Sequence, residues 1–438
     1  MKNEYKEMSV DYSYIANSLN EYFEKIKISG QSIDKEVLKR RLTAYYSDKF
    51  NNHFFYDKSY EFIDLFCGAG GLSVGLEQEG FIPTVAVDND PSAISTYRFN
   101  RPWLSEENII NDDIRKVLNN YTFPHVPLIV GGPPCQGFSV VNKHKKANDE
   151  RNELYKFYVR TVKQSLPDIF LIENVEGILK LYRSIENDFK KIGYITCKPV
   201  VINTKDFGFP QSRKRAFILG VNKKYKKISS ELFDIFNEGI ANHLNKYNFV
   251  LWDAIGDLPE IKAKTVKNAT YIENKEWGFT FAEFQKNDTK YQQLINCNLP
   301  KEVPLLNHRS KYNNARDIQI YNLLKPGEKS DAESIKDINP YLNRADIFRD
   351  KFDKLVAAEP CKAITAHMYY DCNMYIHPTQ ARGLSPREAA RVQGFPDDYM
   401  FLGSPNEWYR QIGNAVSPLM ARVLGIALRQ VLERIGIV

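Results

Sequence analysis

The chain has 438 residues, of which 43% are hydrophobic and 26% charged; these values exclude global disorder and predict about two or three globular domains. Its 60 Lys and Arg against 54 Asp and Glu give a net charge of +6, which permits a polyanionic partner without requiring one. The sequence shows no apolar run of roughly 18 residues, no apolar N-terminal segment and no CxxC pair, so a cytoplasmic protein with reduced thiols and no membrane span is predicted.

The first segment, residues 1–58, is predicted to be a helical N-terminal extension. Apolar residues recur every three to four positions in residues 12–26 and 33–46, as they do along one face of a helix. We expect these helices to pack against the main body of the protein. A partner-binding face and a helix-turn-helix are the alternatives, and periodicity alone is weak evidence for binding in a DNA groove.

From residue 61 to about residue 221, short apolar runs alternate with helical patterns. This alternation predicts an α/β fold with a doubly wound, mostly parallel sheet of the Rossmann-like type. The predicted strands are residues 62–66, 84–88, 127–132, 169–174 and 216–221, and the predicted helices are 72–78, 91–99 and 151–164. This alternation stops between about residues 223 and 382, which predicts a second, smaller irregular domain. An amphipathic helix is expected near residues 420–432.

The first predicted strand runs into a glycine-rich turn, FCGAGGLS, followed by a helix. Gly68, Gly70 and Gly71 allow positive φ angles and the close approach of a ligand, and the N-terminus of the helix can receive a carboxylate or phosphate. Ser73 occupies the third glycine position of a dinucleotide fingerprint, which disfavours an NAD-dependent dehydrogenase.

Two carboxylates follow this turn at the ends of later elements. Asp88 ends the second predicted strand, where a carboxylate can accept both hydroxyls of a ribose. Asp113 follows another short loop and could bind an adenine amino group. The alternative is an ordinary strand-ending turn, but the two features in this order favour an adenosine cofactor.

A stiff loop carries the candidate nucleophile, Cys135. The segment GGPPCQGFS (131–139) follows a predicted strand, and its two prolines fix the backbone so that Cys135 stands at the carboxyl end of the sheet. A lone cysteine is most often buried and inert. A rigid, exposed loop lined by glycine and proline favours a reactive thiol instead.

Charged residues that could serve this thiol follow along the chain. Glu173 ends the next buried run, where a carboxylate indicates a role in a site. Arg213 and Arg215, in QSRKR, share a face if the segment is extended, and fixed cations there would favour a thiolate or a phosphate. A solvated basic run is the alternative interpretation of QSRKR.

Taken in order, these motifs resemble the cytosine carbon-5 DNA methyltransferases. DLFCGAGGLS resembles the family's S-adenosylmethionine turn, PPCQGFS its catalytic-cysteine motif, and ENV and QSRKR its glutamate and arginine motifs. RGLSPREAARVQGFPDDY (382–399) and RQIGNAVSPLMARVLG (410–425) resemble its two closing motifs. The resemblance covers about residues 61–225 and 375–430 and departs from the pattern at Cys67, where many members have alanine; a small side chain still fits there.

The resemblance implies a role for each matching residue. The cofactor would be S-adenosylmethionine, bound by Phe66, Gly68, Gly70, Gly71, Asp88, Asp113 and Asn414, with Asp113 on the adenine. Cys135 would be the nucleophile, Glu173 its acid partner, and Arg213 and Arg215 would orient the base and the nucleophile. Gln136, Ser139 and Gln211 would contact the substrate, and no metal is implied.

The implied activity is methyl transfer to carbon-5 of cytosine in a specific sequence of double-stranded DNA, by a covalent cysteine adduct and base flipping. The partners would be duplex DNA and a cognate restriction endonuclease, and the protein would be a monomer. The lysine-rich loop 140–152 could close over phosphates. Residues 59–225 with 405–438 would form the catalytic domain, and 226–404 the target-recognition domain and hinge.

Two other functions remain open from the sequence alone. Methylation of transfer RNA keeps the chemistry and changes the substrate, although the long region before residue 382 favours DNA. A non-enzymatic nucleic-acid-binding protein is disfavoured because Cys135, Glu173, Arg213 and the glycine turn are all intact.

Overall fold

The computed structural model describes residues 10–29, 34–51, 59–134, 154–342 and 351–437. The strands in these ranges are β1 (Lys27–Ile28), β2 (Tyr60–Leu65), β3 (Phe81–Asp88), β4 (Ile109–Asn111), β5 (Leu128–Gly131), β6 (Ile169–Asn174), β7 (Tyr194–Thr196), β8 (Val200–Asn203), β9 (Gln211–Ser212), β10 (Lys214–Asn222), β11 (Ile272–Glu273), β12 (Gly278–Lys286), β13 (Glu302–Arg309) and β14 (Cys361–Lys362). The α-helices are α1 (Tyr12–Lys25), α2 (Lys35–Asn51), α3 (Gly71–Glu77), α4 (Pro91–Phe99), α5 (Ile114–Asn120), α6 (Leu154–Ser165), α7 (Tyr182–Lys191), α8 (Ser229–Ala241), α9 (Leu251–Ile255), α10 (Lys290–Ile295), α11 (Ala315–Leu323), α12 (Pro386–Gln393), α13 (Pro405–Asn414) and α14 (Pro418–Arg434).

The largest sheet confirms the predicted doubly wound, mostly parallel architecture. Its eight strands lie in the order β4-β3-β2-β5-β6-β10-β7, with β8 paired to β10 as well. Strands β2 to β6 are mutually parallel. The chain winds from β2 to β3 and β4 on one side and to β5 and β6 on the other, so the order reverses between β2 and β5. Such a reversal opens a crevice at the carboxyl ends of the strands.

Strand β10 differs in direction from the strands predicted alongside it. It runs antiparallel to β6, β7 and β8. Its apolar run, AFILGV, predicts a buried strand but carries no information on direction. The consequence for the site is that the start of β10 lies beside the end of β6, with Ala216 opposite Asn174.

The sheet separates two apolar cores, because successive side chains of a strand point to opposite faces. In β5, Leu128 and Val130 belong to the core that contains α3 and α14, while Ile129 belongs to the core that contains α6. The region Pro405–Arg434 is apolar and long enough by composition to cross a membrane, but 72% of its most apolar window is buried inside the protein. This region is a core helix pair, broken between α13 and α14.

The two N-terminal helices pack on the main body through a third core. Leu19 of α1 and Leu42 and Tyr46 of α2 are fully buried there. The same core contains Tyr97 of α4 and Phe281 of β12. Strand β1, between the two helices, pairs in parallel with β11.

The middle of the chain combines a β-hairpin with short helices. Strands β12 and β13 are antiparallel. Residues from α11 and the segments around Ile335, Phe352 and Ile376 form a small separate core. Helix α8, although it lies after residue 226, buries Leu232 and Phe236 in the core that contains α14. The division of the chain into domains stays a prediction.

Helix α3 approaches the start of α14 so closely that only glycine fits at the contact. A Cβ atom at Gly75 would lie 2.3 Å from the carbonyl oxygen of Pro418 and 2.5 Å from Cβ of Ala421. The backbone of α14 would have to move to accept a methyl group at this position. The contact joins two helices that lie far apart in the sequence but share one core.

We predict that Gly75→Ala lowers the free energy of unfolding by about 2 kcal/mol, because the steric cost of overpacking exceeds the gain in helix propensity of roughly 1 kcal/mol. Urea unfolding followed by circular dichroism measures the change. The control is Lys116→Ala, whose side chain lies on the exposed face of α5, and for which a change within about 0.5 kcal/mol is expected. Equal stability of the Gly75→Ala variant and the wild type would contradict the prediction.

Candidate active site

A cavity of about 510 Å³ lies at the carboxyl ends of the central strands. Residues that follow β2, β3, β4, β5 and β6 line it, together with residues from the β9–β10 junction and the end of α13. Of the residues singled out in the sequence, it brings together Phe66, Gly68, Gly71, Asp88, Asp113, Glu173, Arg213, Arg215 and Asn414.

The glycine-rich turn after β2 has the unusual backbone that its composition predicts. Phe66, Gly68 and Gly70 have φ angles of 59°, 52° and 83°. A Phe in this left-handed region is uncommon and marks a constrained backbone. Gly70 is not among the residues that line the cavity: a Cβ there would lie 2.6 Å from Nη1 of Arg101. Gly70 thus packs against Arg101 behind the turn, and its contact with a cofactor stays a prediction.

Asp88 holds the turn and faces the cavity at the same time. Its Oδ2 accepts a hydrogen bond of 2.8 Å from the backbone N–H of Gly68, and its Oδ1 accepts one of 2.8 Å from Asp90. Burial raises the pKa of the Asp88 carboxyl, and these two donors oppose the rise. Each oxygen keeps a further lone pair, so the carboxylate can accept additional donors from a ligand.

Asp113 lies at the cavity rim as the N-cap of α5. Its Oδ1 accepts the backbone N–H of Arg115 at 2.8 Å, and the Arg115 guanidinium donates to both carboxylate oxygens, at 2.9 and 2.6 Å. The side-chain hydrogen bonds from Arg115 lower the pKa of Asp113. The group is an ionised acceptor, with part of its capacity already used by Arg115. Neighbouring Asp112 also lines the cavity.

Glu173 and Arg215 form an ion pair in the opposite half of the cavity. Nε of Arg215 lies 2.9 Å from Oε1 of Glu173, and the side chains are 19% and 12% exposed. The antiparallel pairing of β10 with β6 brings the two residues together. A Cβ at Gly132 would lie 2.8 Å from Oε2 of Glu173, so glycine at this position leaves room for the carboxylate.

Arg213 contributes to the same wall but is almost fully buried, at 2% exposure. Its Nη1 donates to the carbonyl of Ile364 at 2.6 Å, and its Nη2 donates to Gly413 at 3.1 Å and Ala415 at 2.9 Å. Burial, and then the nearby Arg215, lower the pKa of Arg213 to about 9. Its Nε is buried without a hydrogen-bond partner among the described residues.

The structure places Gln211 away from the cavity, and its contact with substrate stays a prediction. Gln211 is 1% exposed and does not line the cavity. Its amide nitrogen donates to Oε1 of Gln393 at 2.8 Å, and its amide oxygen accepts the backbone N–H of Ile364 at 2.8 Å. The side chain points into the interior because these buried polar groups need partners.

Three of the predicted site residues, Cys135, Gln136 and Ser139, lie outside the described residues, as does the lysine-rich loop 140–152. The described chain before them ends at Pro134, which lines the cavity together with Pro133. Nδ2 of Asn174 donates to the carbonyl of Pro133 at 2.7 Å, which holds the backbone two residues before position 135.

The polar residues of the cavity wall that the sequence analysis did not single out include Asn174 and Asp64. Asp64 is 1% exposed, and its Oδ2 accepts a 2.6 Å hydrogen bond from the hydroxyl of Ser73. Burial raises the pKa of Asp64 to about 7. A carboxylate inside the otherwise apolar strand FIDLF was the available signal, since an acidic residue in a buried strand needs a partner.

Comparison with known proteins supplies the family. The family model for C-5 cytosine-specific DNA methylase matches residues 60–430. The type II methyltransferase M.DdeI of Desulfomicrobium norvegicum is 30% identical over 403 residues, covering 86% of this chain and 90% of that protein. M1.HphI of Haemophilus parahaemolyticus, also a type II methyltransferase, is 30% identical over 393 residues, covering 86% and 89%.

A solved structure agrees with these sequence matches. An E. coli protein assigned as a prophage-encoded DNA modification methyltransferase superposes with a TM-score of 0.64 at 28% identity, over 85% of this chain and 99% of that one. The family match spans the strands, the glycine turn and the segments at the end of the chain that together enclose the cavity. The chain belongs to the C-5 cytosine-specific DNA methylase family.

Proposed function

We propose that this protein transfers a methyl group from S-adenosylmethionine to carbon-5 of cytosine in a specific duplex DNA sequence, through a transient covalent bond to Cys135. One observation carries the proposal: the carboxylates of Asp88 and Glu173 face one cavity, which the chain leaves at Pro134, the residue before Cys135. Asp88 is an acceptor suited to a cofactor, Glu173 is a candidate acid, and Cys135 is the candidate thiol. In the sequence, each stands at or after the end of a strand of the central sheet.

The cavity residues fit the proposed cofactor. Asp88 has spare acceptor capacity for ribose hydroxyls, the Phe66 ring offers an apolar face for the adenine, and Asp113 offers an acceptor to its amino group. Exposed Asn414 faces the same space from the end of α13. When bound, S-adenosylmethionine supplies an electrophilic methyl group.

The chain's own groups would activate the cytosine. Carbon-5 of an aromatic ring is a poor nucleophile, and addition of the Cys135 thiolate to carbon-6 would move electron density to carbon-5. The Glu173 carboxyl, in its protonated form or sharing a proton with the ring, would donate that proton to ring nitrogen-3 as negative charge develops there. Arg215 holds that carboxyl in place through its 2.9 Å contact. Carbon-5 would then bond to the methyl group as the sulfonium–methyl bond breaks, with S-adenosylhomocysteine as the leaving group. Loss of the carbon-5 proton to a base would re-form the ring double bond and expel the thiolate, and nitrogen-3 would return its proton to Glu173.

The substrate follows from the geometry of the reaction and from the relatives. The face of a cytosine within duplex DNA is stacked, so the base must be flipped out to meet a thiol. We assign the target-recognition domain and hinge to residues 226–404, and within it sequence recognition to about 226–380, whose Lys, Asn and aromatic residues suit phosphate and groove contacts. The relatives named type II methyltransferases favour DNA over transfer RNA, and a role in a restriction-modification system with a cognate endonuclease.

We expect Cys135→Ser to abolish methyl transfer, because a hydroxyl is a far weaker nucleophile than a thiolate at neutral pH. The measurement is transfer of tritiated methyl groups to duplex DNA. Calorimetric titration with S-adenosylhomocysteine is the control, and its Kd should change less than about threefold. Substantial activity of the serine variant would rule out the nucleophile assignment.

Duplex DNA that contains 5-fluorocytosine should form a covalent complex with the wild-type protein, because the fluorine cannot leave as a proton does and the thiol stays bonded. The complex is measured as a band shift on a denaturing gel. Cys135→Ser should give no band. Normal methylation of unmodified DNA without a trapped complex would argue against covalent addition, and label entering only transfer RNA would overturn the DNA assignment.

The paired variants Glu173→Gln and Asp88→Asn should separate the two halves of the cavity. We expect Glu173→Gln to lower kcat by about 10²–10³-fold with little change in cofactor Kd, since it removes an acid. Asp88→Asn should weaken cofactor binding about tenfold or more, since it removes a charged acceptor. Calorimetry and steady-state kinetics measure both, and the reverse assignment of effects would contradict the model of the site.

Asp64 should make the stability of the ligand-free protein fall with rising pH. Its pKa is raised from an ordinary 3.8 to about 7, so between these pH values the folded protein holds a proton that the unfolded chain has released. Unfolding therefore becomes easier as the pH rises towards 7. Asp64→Asn should flatten this dependence by about 1–3 kcal/mol between pH 5 and pH 8, measured by urea unfolding. Identical pH profiles would show that the carboxyl of Asp64 is not responsible.

A further inference from the structure

The N-terminal extension makes a buried contact with the closing motif at Asp398. The Asp398 side chain is 1% exposed, and Nζ of Lys49 lies 2.7 Å from its Oδ2. The hydroxyl of Tyr45 donates to the same oxygen at 3.1 Å, and the hydroxyl of Tyr46 donates to the Asp398 carbonyl at 2.9 Å. A buried carboxylate is costly without a partner, and helix α2 supplies the cation.

The residue after Asp398 supports the glycine turn from behind. The hydroxyl of Tyr399 donates to the carbonyl of Ala69 at 2.5 Å and accepts Nη1 of Arg101 at 2.9 Å. Arg101 is held by two 2.7 Å hydrogen bonds to the Glu77 carboxylate at the end of α3. At Gly70, a Cβ would lie 2.6 Å from Arg101 and 2.9 Å from Tyr399, so these two side chains set the position of the turn.

A second, apolar route joins the same two parts of the protein. The ring of Tyr46 packs edge-on against Phe99, with 5.0 Å between centroids, and Phe50 packs against Trp103 at 5.7 Å. Cys67, in the glycine turn itself, belongs to the same buried core. The extension therefore reaches the turn through both hydrogen bonds and packing.

We propose that the N-terminal extension is a positioning element for the cofactor turn, with Lys49 and Tyr46 as its positioning residues. Both residues lie before residue 60, where the family match begins. The inference rests on the proposed function, in which this turn holds S-adenosylmethionine. Neither residue lines the cavity, so each would act through Asp398 and Tyr399 rather than on the ligand.

Two mild substitutions in the full-length protein test the proposal. Lys49→Met removes the cation that faces Asp398, and Tyr46→Phe removes one hydrogen bond while keeping the packed ring. Titration with S-adenosylhomocysteine, without DNA, should show Kd increased about tenfold for Lys49→Met and about threefold for Tyr46→Phe. The KM for S-adenosylmethionine should rise in parallel, while kcat and the KM for DNA stay within about twofold.

Two further variants distinguish positioning from general stability. Lys49→Arg keeps the cation and should restore wild-type Kd. Lys25→Met, on α1, removes a solvent-exposed pair with Glu21 and should leave Kd unchanged. A lower Tm in Lys49→Met and Tyr46→Phe with unchanged Kd would overturn the proposal, because the extension would then be merely structural.

The proposed function fails separately from this inference. If the wild-type protein does not bind S-adenosylhomocysteine, the cofactor assignment is wrong and the positioning role falls with it. If the wild type binds and all four variants bind equally, the cofactor assignment stands and the positioning role alone is refuted.

Discussion

The close approach of α3 and α14 is the constraint on which the cavity depends. Residues far apart in sequence must meet there without side chains between them, and Gly71 and Gly75 make this possible: a Cβ at either would lie 2.3 Å from a backbone oxygen, of Val416 or Pro418. The segment that carries Asn414 is thereby held against the glycine turn. Since the turn and this segment both line the cavity, the helix contact sets the shape of the side where the cofactor is proposed to bind.

A buried arginine, Arg387, joins elements that lie outside this helix contact. Arg387 is fully buried and donates to the carbonyls of Leu306, Pro396 and Tyr399. It thus ties strand β13 to the closing motif, and a buried guanidinium is tolerated because its donors meet carbonyl acceptors. Removal of the guanidinium would leave three carbonyl oxygens without this donor. Arg387 therefore stabilises the contact between these segments rather than serving as a surface charge.

The local parts of this architecture were predictable, and the long-range parts were not. The runs around Asp88 and Glu173 carry a strand pattern and a terminal carboxylate in a few residues, so both the strands and their place at the cavity could be predicted. The direction of β10 and the inward turn of Gln211 depend on partners in other segments. The contact between Lys49 and Asp398 joins the first helices to the closing motif, and no local pattern encodes it.

Arg213 links the part of the cavity wall that contains Glu173 to the part that contains Asn414. It lies two residues from Arg215, which pairs with Glu173, yet its own donors reach the carbonyls of Gly413 and Ala415 on either side of Asn414. A shift of the β9–β10 junction would therefore move the wall beside Glu173 and the segment around Asn414 together. Interiors are packed too densely for such a shift to be absorbed by one side alone. Glu173, the proposed acid, and Asn414, a proposed cofactor contact, are consequently held in one rigid frame, which suits a reaction that needs both at fixed positions around a single base.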